Sequence, residues 1–498
     1  SKYQFITLKL LHPPAASEKK TLLSKIRDLS PEDRITLSGG GETYSSLVQN
    51  DFLSTSKFPE TEFAVNINKA SYSNIRRFLN MGSVVPPDAV RIEEMLNYFN
   101  FNYTLPLADS TFTFRSYLAQ CPWNAANQVL YINLCAAKID LENVPPANLV
   151  FLIDISGSMD LPNRLPLIKS AFKLLVNNLR QMDTVSIVVY GSTVGVWLPP
   201  TAGNHKDQIM KSIEALNPGG PTPGEEGIQA AYRVAKSQFI RGGNNRVILA
   251  TDGDFNVGQT TEEELEKLIV VHKQWGIYLT CLGVGMGNYK DSKLQVLAER
   301  GSGNFAYLDN EREAEKVLME EFTQTIYAVA DDSYLGVRFN PNLVKSYRLI
   351  GFDNKWSALN DTSNGLQGGE IGSGNSLVAM FEITPVTSNI DSLNALQDNF
   401  ARVTVTYKIP GDSLSRNSYF NCPFRSTDFS YLPAPIRFAS SVVIFGELLR
   451  NSKYVRHFGW SDLAIEAQKS LDPNDAIEKE FISLVSKARK IYRKEKRK

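Results

Sequence analysis

The chain has 498 residues, enough for about three domains of ordinary size, and its 43% hydrophobic and 21% charged residues exclude a disordered, collagen-like or disulfide-dense polymer. Lys plus Arg and Asp plus Glu balance at 53 each, which leaves no overall field to draw in nucleic acid or an anionic membrane. No run approaches the roughly 18 to 20 apolar residues that span a bilayer, and 4 cysteines without CxxC spacing offer neither a zinc ribbon nor a dithiol redox pair.

Residues 1–57 are mixed in character, with a short helix expected over 17–28 and a GGGE run at 39–42 that breaks regular structure, as in a linker or docking arm. The start lacks a signal-peptide core and cleavage site, and an opening at Ser1 fits a processed form whose leader is gone. Over 58–146, FAVNINKASYSNIRRFLN predicts a strand followed by a helix from near Ser71, and PPDAVRIEEMLNYF a second helix opened by prolines. FTFRSYLAQ at 112–120 and QVLYINLCA at 128–136 then alternate as strands do.

From 147 to 330, buried strands and amphipathic helices take turns. NLVFLIDIS precedes a helix over 164–180, and TVSIVVYG precedes helices over 206–215 and 224–238. NRVILATDG leads to a helix over 261–275, IYLTCLGVG to one over 291–299, and a closing helix is expected over 312–330. Apolar runs such as Leu149 to Ile153 and Val247 to Ala250 suit parallel strands covered on both faces, so this block is expected to be a Rossmann-like, doubly wound α/β domain.

Beyond 331 the period becomes two: SYLGVRFNP, VKSYRLIGF, NSLVAMFEITP and FARVTVTYKIP predict an antiparallel β-sandwich over 331–434. The strands before the α/β block are expected to join it, which makes that block an insertion. Residues 435–498 read as a helical region ending in the basic tail RKEKRK, whose plain reading is a solvated end. Cys281, in an apolar run, reads as a core residue, while Cys121 and Cys422, each followed by a Pro and an aromatic, are candidates for a disulfide.

The chemistry concentrates at strand ends. Asp154, Ser156 and Ser158 leave the buried strand NLVFLI together, and in an open parallel sheet that carboxyl edge is where ligands bind. Asp252, after VILA, reaches the same edge, and the Gly/Pro loop PGGPTPGEEG supplies Thr222 between them. Five oxygen donors without Cys or His suit a hard cation, Mg²⁺ first and Mn²⁺ or Ca²⁺ as alternatives. Because hydroxyls are neutral donors, such an ion keeps positive charge and a water that an incoming carboxylate can displace.

This pattern resembles the von Willebrand factor type A (VWA) domain, whose metal-ion-dependent adhesion site uses DxSxS, a loop Thr and a later Asp. Asp154, Ser156, Ser158, Thr222 and Asp252 match it residue by residue. The resemblance implies that Asp154 is a direct or water-mediated ligand, that Ser156 and Ser158 bind through their hydroxyls, and that coordination by Thr222 and Asp252 changes when a ligand docks. The flanks, including ASYSNIRRFLN, PPANLVFLIDISGSM and GEIGSGNSLVAMFEI, resemble bacterial envelope proteins that carry a VWA domain between an N-terminal region and a C-terminal domain. Asn66 and Asn68 stand where that family carries Asp, which argues against a charged role there, and residues 1–57 have no counterpart in the resemblance. The implied function is metal-dependent protein binding through an Asp or Glu of the partner, in a cell-envelope assembly.

Several residues have plainer readings. Asp154, Ser156 and Ser158 resemble helix caps, but capping leaves Thr222 and Asp252 unexplained. Asp254 reads as an exposed loop acid, and Glu225 and Glu226 as first-turn helix acids favoured by the dipole. His12, His205, His272 and His457 are scattered, and no HExxH, G-x-S-x-G or P-loop is present, so an enzyme is not expected. The glycines of GVGMGN at 283–288 read as a turn near the metal face. A scaffold with a vestigial metal site and, behind it, a metal-dependent hydrolase are the competing readings.

Overall fold

The computed structural model describes residues 42–495 except 102, 107–109, 141, 143, 192–193, 221–223, 254–261, 287–288, 353–367 and 396–397. The helix expected over 17–28, together with Thr222 and Asp254, lies outside the described residues.

The α/β domain is built on β5 (Ala147–Asp154), β6 (Thr184–Tyr190), β7 (Gly195–Ala202), β8 (Asn244–Thr251), β9 (Ile277–Gly283) and β10 (Phe305–Tyr307), in the order β10-β9-β8-β5-β6-β7. All neighbours are parallel except β7, which runs antiparallel to β6 at the edge. Its helices are α3 (Leu165–Asn177), α4 (Lys206–Glu214), α5 (Gly224–Ser237), α6 (Glu262–Gln274) and α7 (Asp291–Arg300), the first two labels, α1 (Ala70–Asn80) and α2 (Ile92–Tyr98), belonging to the N-terminal region. The apolar run of β5 splits by parity: Leu149, Phe151 and Ile153 pack with Ile168, Phe172 and Leu175 of α3, while Val150 and Leu152 pack with Ile228, Ala231 and Tyr232 of α5. A strand covered on both faces has no polar side, which is why its run is unbroken.

Two local readings change. GVWLPPTA, not anticipated as a strand, forms β7, and Pro199 and Pro200 are tolerated because an edge strand needs hydrogen bonds on one side only. The single helix expected over 312–330 is instead α8 (Glu311–Glu315), a π turn (Lys316–Glu320) and α9 (Phe322–Ile326). Glu321 N–H donates to the Lys316 carbonyl at 2.8 Å, closing the wide turn. Ala328, Val329 and Ala330 then enter a strand, because pairing of Ala328 with Gly372 overrides the helical character of the segment.

The remaining strands are β1 (Leu53–Ser54), β2 (Glu60–Ala64), β3 (Phe112–Gln120), β4 (Gln128–Ala136), β11 (Ala328–Phe339), β12 (Val344–Ile350), β13 (Gly369–Gly372), β14 (Ser376–Pro385), β15 (Asn399–Lys408), β16 (Ser415–Pro423) and β17 (Ser426–Thr427). They form two sheets, β1-β12-β14-β4-β3-β17 and β13-β11-β15-β16 with β2 on β11. β4 and β14 pair antiparallel from Gln128 with Ile383 to Cys135 with Ser376, which joins chain from both sides of the α/β domain and makes that domain an insertion. Leu130, Ile132 and Leu134 of β4 face Phe381 and Val403 in the sandwich core. Val129 and Tyr131, on the opposite face, lie under the C-terminal helices α11 (Ala434–Leu449), α12 (Trp460–Ser470) and α13 (Ala476–Glu495), which follow the short α10 (Ile390–Ala395).

Cys121, Cys135, Cys281 and Cys422 are all free and buried, so the candidate pair does not form. Cys121 belongs to the core beneath the helices and Cys422 to the sandwich core, with a sheet between them. Cys281 is a core residue, as expected.

Candidate metal centre

The chain runs from β5 to β6 on one side and later returns to β8 on the other, so β5 and β8 flank the point where strand order reverses. Asp154 ends β5, and Asp252 follows directly on β8, which brings the two carboxylates to the same sheet edge. Both residues are buried. Asp154 Oδ1 accepts the backbone N–H of Ser156 at 2.8 Å, and Oδ2 accepts the Thr251 hydroxyl at 2.8 Å. Burial pushes the Asp154 carboxyl up to about 6, the Ser156 hydrogen bonds oppose that rise, and the charge of Asp252 adds to it.

Ser156 and Ser158 bring their hydroxyls within 3.1 Å of each other across a one-turn 3₁₀ segment, Gly157–Met159. Neither caps α3, whose N-cap is Arg164, so the capping explanation does not account for them. The loop leading to Thr222 is tied to this turn: Gly219 N–H donates to the Ile155 carbonyl at 2.7 Å and Gly157 N–H to the Gly220 carbonyl at 3.0 Å. The structure therefore brings Asp154, Ser156, Ser158 and Asp252 to one edge and docks the chain two residues before Thr222 against it. Glu225 and Glu226 sit in the first turn of α5, as expected.

Arg164 was not anticipated. Its Nη1 donates to Asp252 Oδ2 and to the Ser158 carbonyl, both at 2.6 Å, and Nη2 to the Met286 carbonyl at 2.9 Å. Gly285, in the GVGMGN turn, has φ +81°, and a Cβ there would lie 2.6 Å from Arg164 Nε, so glycine is what lets the guanidinium in. The sequence signal was slight: an Arg ten positions after Asp154, just ahead of a helix.

On the other side of the Asp252 loop, Gly253 (φ +82°) leaves only 2.7 Å between its virtual Cβ and Lys290 N. Thr43 bridges to Lys290, and Arg91 forms a buried ion pair with Asp291, so the N-terminal region walls that flank. Asn68 there caps a backbone group rather than a charge, accepting Phe305 N–H at 3.0 Å.

The donor set favours a hard cation. Among the described residues no group of three or more His, Cys, Asp or Glu side chains could hold a metal, so a zinc-type site has no ligands, whereas two carboxylates with two hydroxyls match oxygen-preferring ions. The hydrogen bonds given above for Asp154 come from neutral groups, so a cation at this edge would supply charge that burial withholds from the carboxylate.

Comparisons with known proteins agree with this architecture. The von Willebrand factor type A domain family matches residues 148–321, the family described as von Willebrand factor matches 38–131, and that of the C-terminal part of the uncharacterized protein YfbK matches 324–491. The similarity thus begins before residue 58. YfbK of Escherichia coli (strain K12) is 35% identical over 474 residues, covering 90% of this chain and 81% of that protein. The magnesium-chelatase 67 kDa subunit of Chlorobaculum tepidum is 28% identical over 34% of this chain and 29% of its own length. Among solved structures, a von Willebrand factor type A protein from Catenulispora acidiphila aligns with a TM-score of 0.45 at 14% identity, over 75% of this chain and 88% of that one. With three successive family matches and a relative 35% identical over 90% of this chain, the chain belongs to the YfbK-like family of von Willebrand factor type A domain proteins.

Proposed function

We propose that this protein binds another protein through a divalent cation, Mg²⁺ first and Mn²⁺ or Ca²⁺ as alternatives, held by Asp154, Ser156, Ser158, Thr222 and Asp252. A VWA domain fits an interaction or adhesion role. The observation that carries the reading is the meeting of two buried carboxylates and two hydroxyls, without nitrogen or sulfur donors, at the switch point of the sheet. The bound ion supplies positive charge and an exchangeable coordination position. Asp154 is held by Ser156 N–H and Thr251, Ser156 and Ser158 present hydroxyls, and the partner supplies an Asp or Glu carboxylate.

The reading includes no catalysis: the Ser156 hydroxyl lies between the Ser158 hydroxyl and the Asp154 carboxylate, where it serves as a metal ligand. Among the described residues no helix is long and apolar enough to cross a membrane. The proposal extends to a subunit of a bacterial cell-envelope assembly, on the resemblance of the flanks, and to the division into arm, split sandwich, inserted VWA domain and helical end.

A second reading, a scaffold with a vestigial metal site, is favoured by the ion pair that Arg164 already makes with Asp252. Capture of a partner on the immobilised full chain in Mg²⁺, in EDTA and with Asp154→Ala separates the two. Metal-dependent binding predicts that EDTA and the substitution each release the partner, whereas a scaffold retains it in both.

A further inference from the structure

Arg164 is buried and fixed at both ends. Its backbone forms the N-cap of α3, and its guanidinium reaches three elements of the sheet edge: Asp252 beyond β8, the Ser158 carbonyl in the turn after β5, and the Met286 carbonyl beyond β9. Nε is buried and has no hydrogen-bond partner among the described residues, so the side chain accepts an unmade bond to hold this position. The side chains of Arg164 and Asp252 are 9% and 2% exposed, which removes most of the screening a surface pair would have.

We infer that Arg164 is a resident cation of the metal site, which neutralises Asp252 when no ion is bound, weakens divalent-cation binding and couples it to arrival of an acidic ligand. The inference rests on the metal-binding reading above. Asp154, Asp252 and Arg164 together carry one net negative charge, so a divalent ion leaves the site with one net positive charge. Without the arginine the same ion is neutralised. Arg164 therefore opposes the cation through space and favours a carboxylate on the loaded site, and by linkage the carboxylate must tighten the cation equally.

The test is Mn²⁺ titration of the EDTA-stripped full chain, read by calorimetry and by Mn²⁺ electron paramagnetic resonance, for wild type, Arg164→Gln, Arg164→Lys and Asp154→Ala, with and without saturating acetate. Arg164→Gln is expected to bind Mn²⁺ about tenfold or more tightly, and Arg164→Lys, which keeps the charge, to stay near wild type. Acetate is expected to tighten Mn²⁺ on wild type and less so on Arg164→Gln. Wild-type binding that Asp154→Ala abolishes, with Arg164→Gln unchanged or weaker, overturns the inference while the metal reading stands. Binding by Arg164→Gln alone without acetate, with wild-type binding appearing once acetate is added, supports the inference, whereas wild type that binds no Mn²⁺ even with acetate overturns the coupling. No Mn²⁺ binding by either overturns both. If Arg164→Gln does not fold, the acetate effect on wild type decides, and its absence overturns the inference.

Discussion

The inserted domain and the sandwich are fastened by a buried ion pair whose removal has a calculable effect. Arg246, on β8 just ahead of the apolar run Val247 to Ala250, is buried. Nη2 donates to Glu370 Oε1 at 2.6 Å and Nη1 to Thr280 Oγ1 at 2.9 Å, the two charged side chains being 1% and 3% exposed. Arg246→Met removes the cation and leaves the Glu370 carboxylate buried without it, a loss of about 3–5 kcal/mol. Burial already raises the Glu370 pKa and Arg246 opposes that rise, so the variant raises it further. An acid whose folded pKa exceeds its unfolded one destabilises the fold above the unfolded value, by an amount that grows until pH passes the folded one. The loss should therefore be smaller near about pH 5 than near about pH 8. Arg246→Met with Glu370→Leu removes both charges and is expected to recover more than half of the loss, which a double-mutant cycle by urea denaturation measures. A single variant within about 1 kcal/mol of wild type, or a double variant no better than the single, would refute the assignment of this pair as a buried, mutually dependent contact.

Two further outcomes follow from packing. Phe151 is fully buried in β5 and stacks on Phe172 with ring centroids 4.2 Å apart, so Phe151→Ala is expected to lower stability by about 3–5 kcal/mol in thermal or chemical denaturation. All four cysteines are buried, and burial pushes the Cys422 thiol up to about 11 and those of Cys121 and Cys281 above their usual range. An aromatic disulfide reagent should label none in the native protein and all four after denaturation, and rapid native labelling would contradict the packing described.

The elements that read clearly from sequence are those whose burial is uniform. β5 and β8 are covered on both faces, so their apolar runs announce parallel strands, and the carboxylates that end them lie where such a sheet presents ligands. β7 did not, because its Pro-Pro pair mimics a loop and only its edge position makes it possible. The segment ending in Ala330 carried helical character throughout, and its conversion to a strand after Ile326 depends on Gly372, a partner more than forty residues away. The separation of Cys121 from Cys422 likewise depends on which face of a sheet each occupies. Within the site, carboxylates and hydroxyls followed from spacing, whereas Arg164 did not, since an arginine ahead of a helix carries no pattern until Gly285 is seen to make room for it.

The central claim is tested most directly by Mg²⁺ calorimetry on the EDTA-stripped full chain beside Asp154→Ala, Asp252→Ala and Thr222→Val, with circular dichroism to confirm folding. The account predicts a single saturable Mg²⁺ site in the wild-type protein, lost in Asp154→Ala and weakened in the other two. Mg²⁺ binding that survives Asp154→Ala in a folded protein, or no binding by wild type with acetate present, would contradict it.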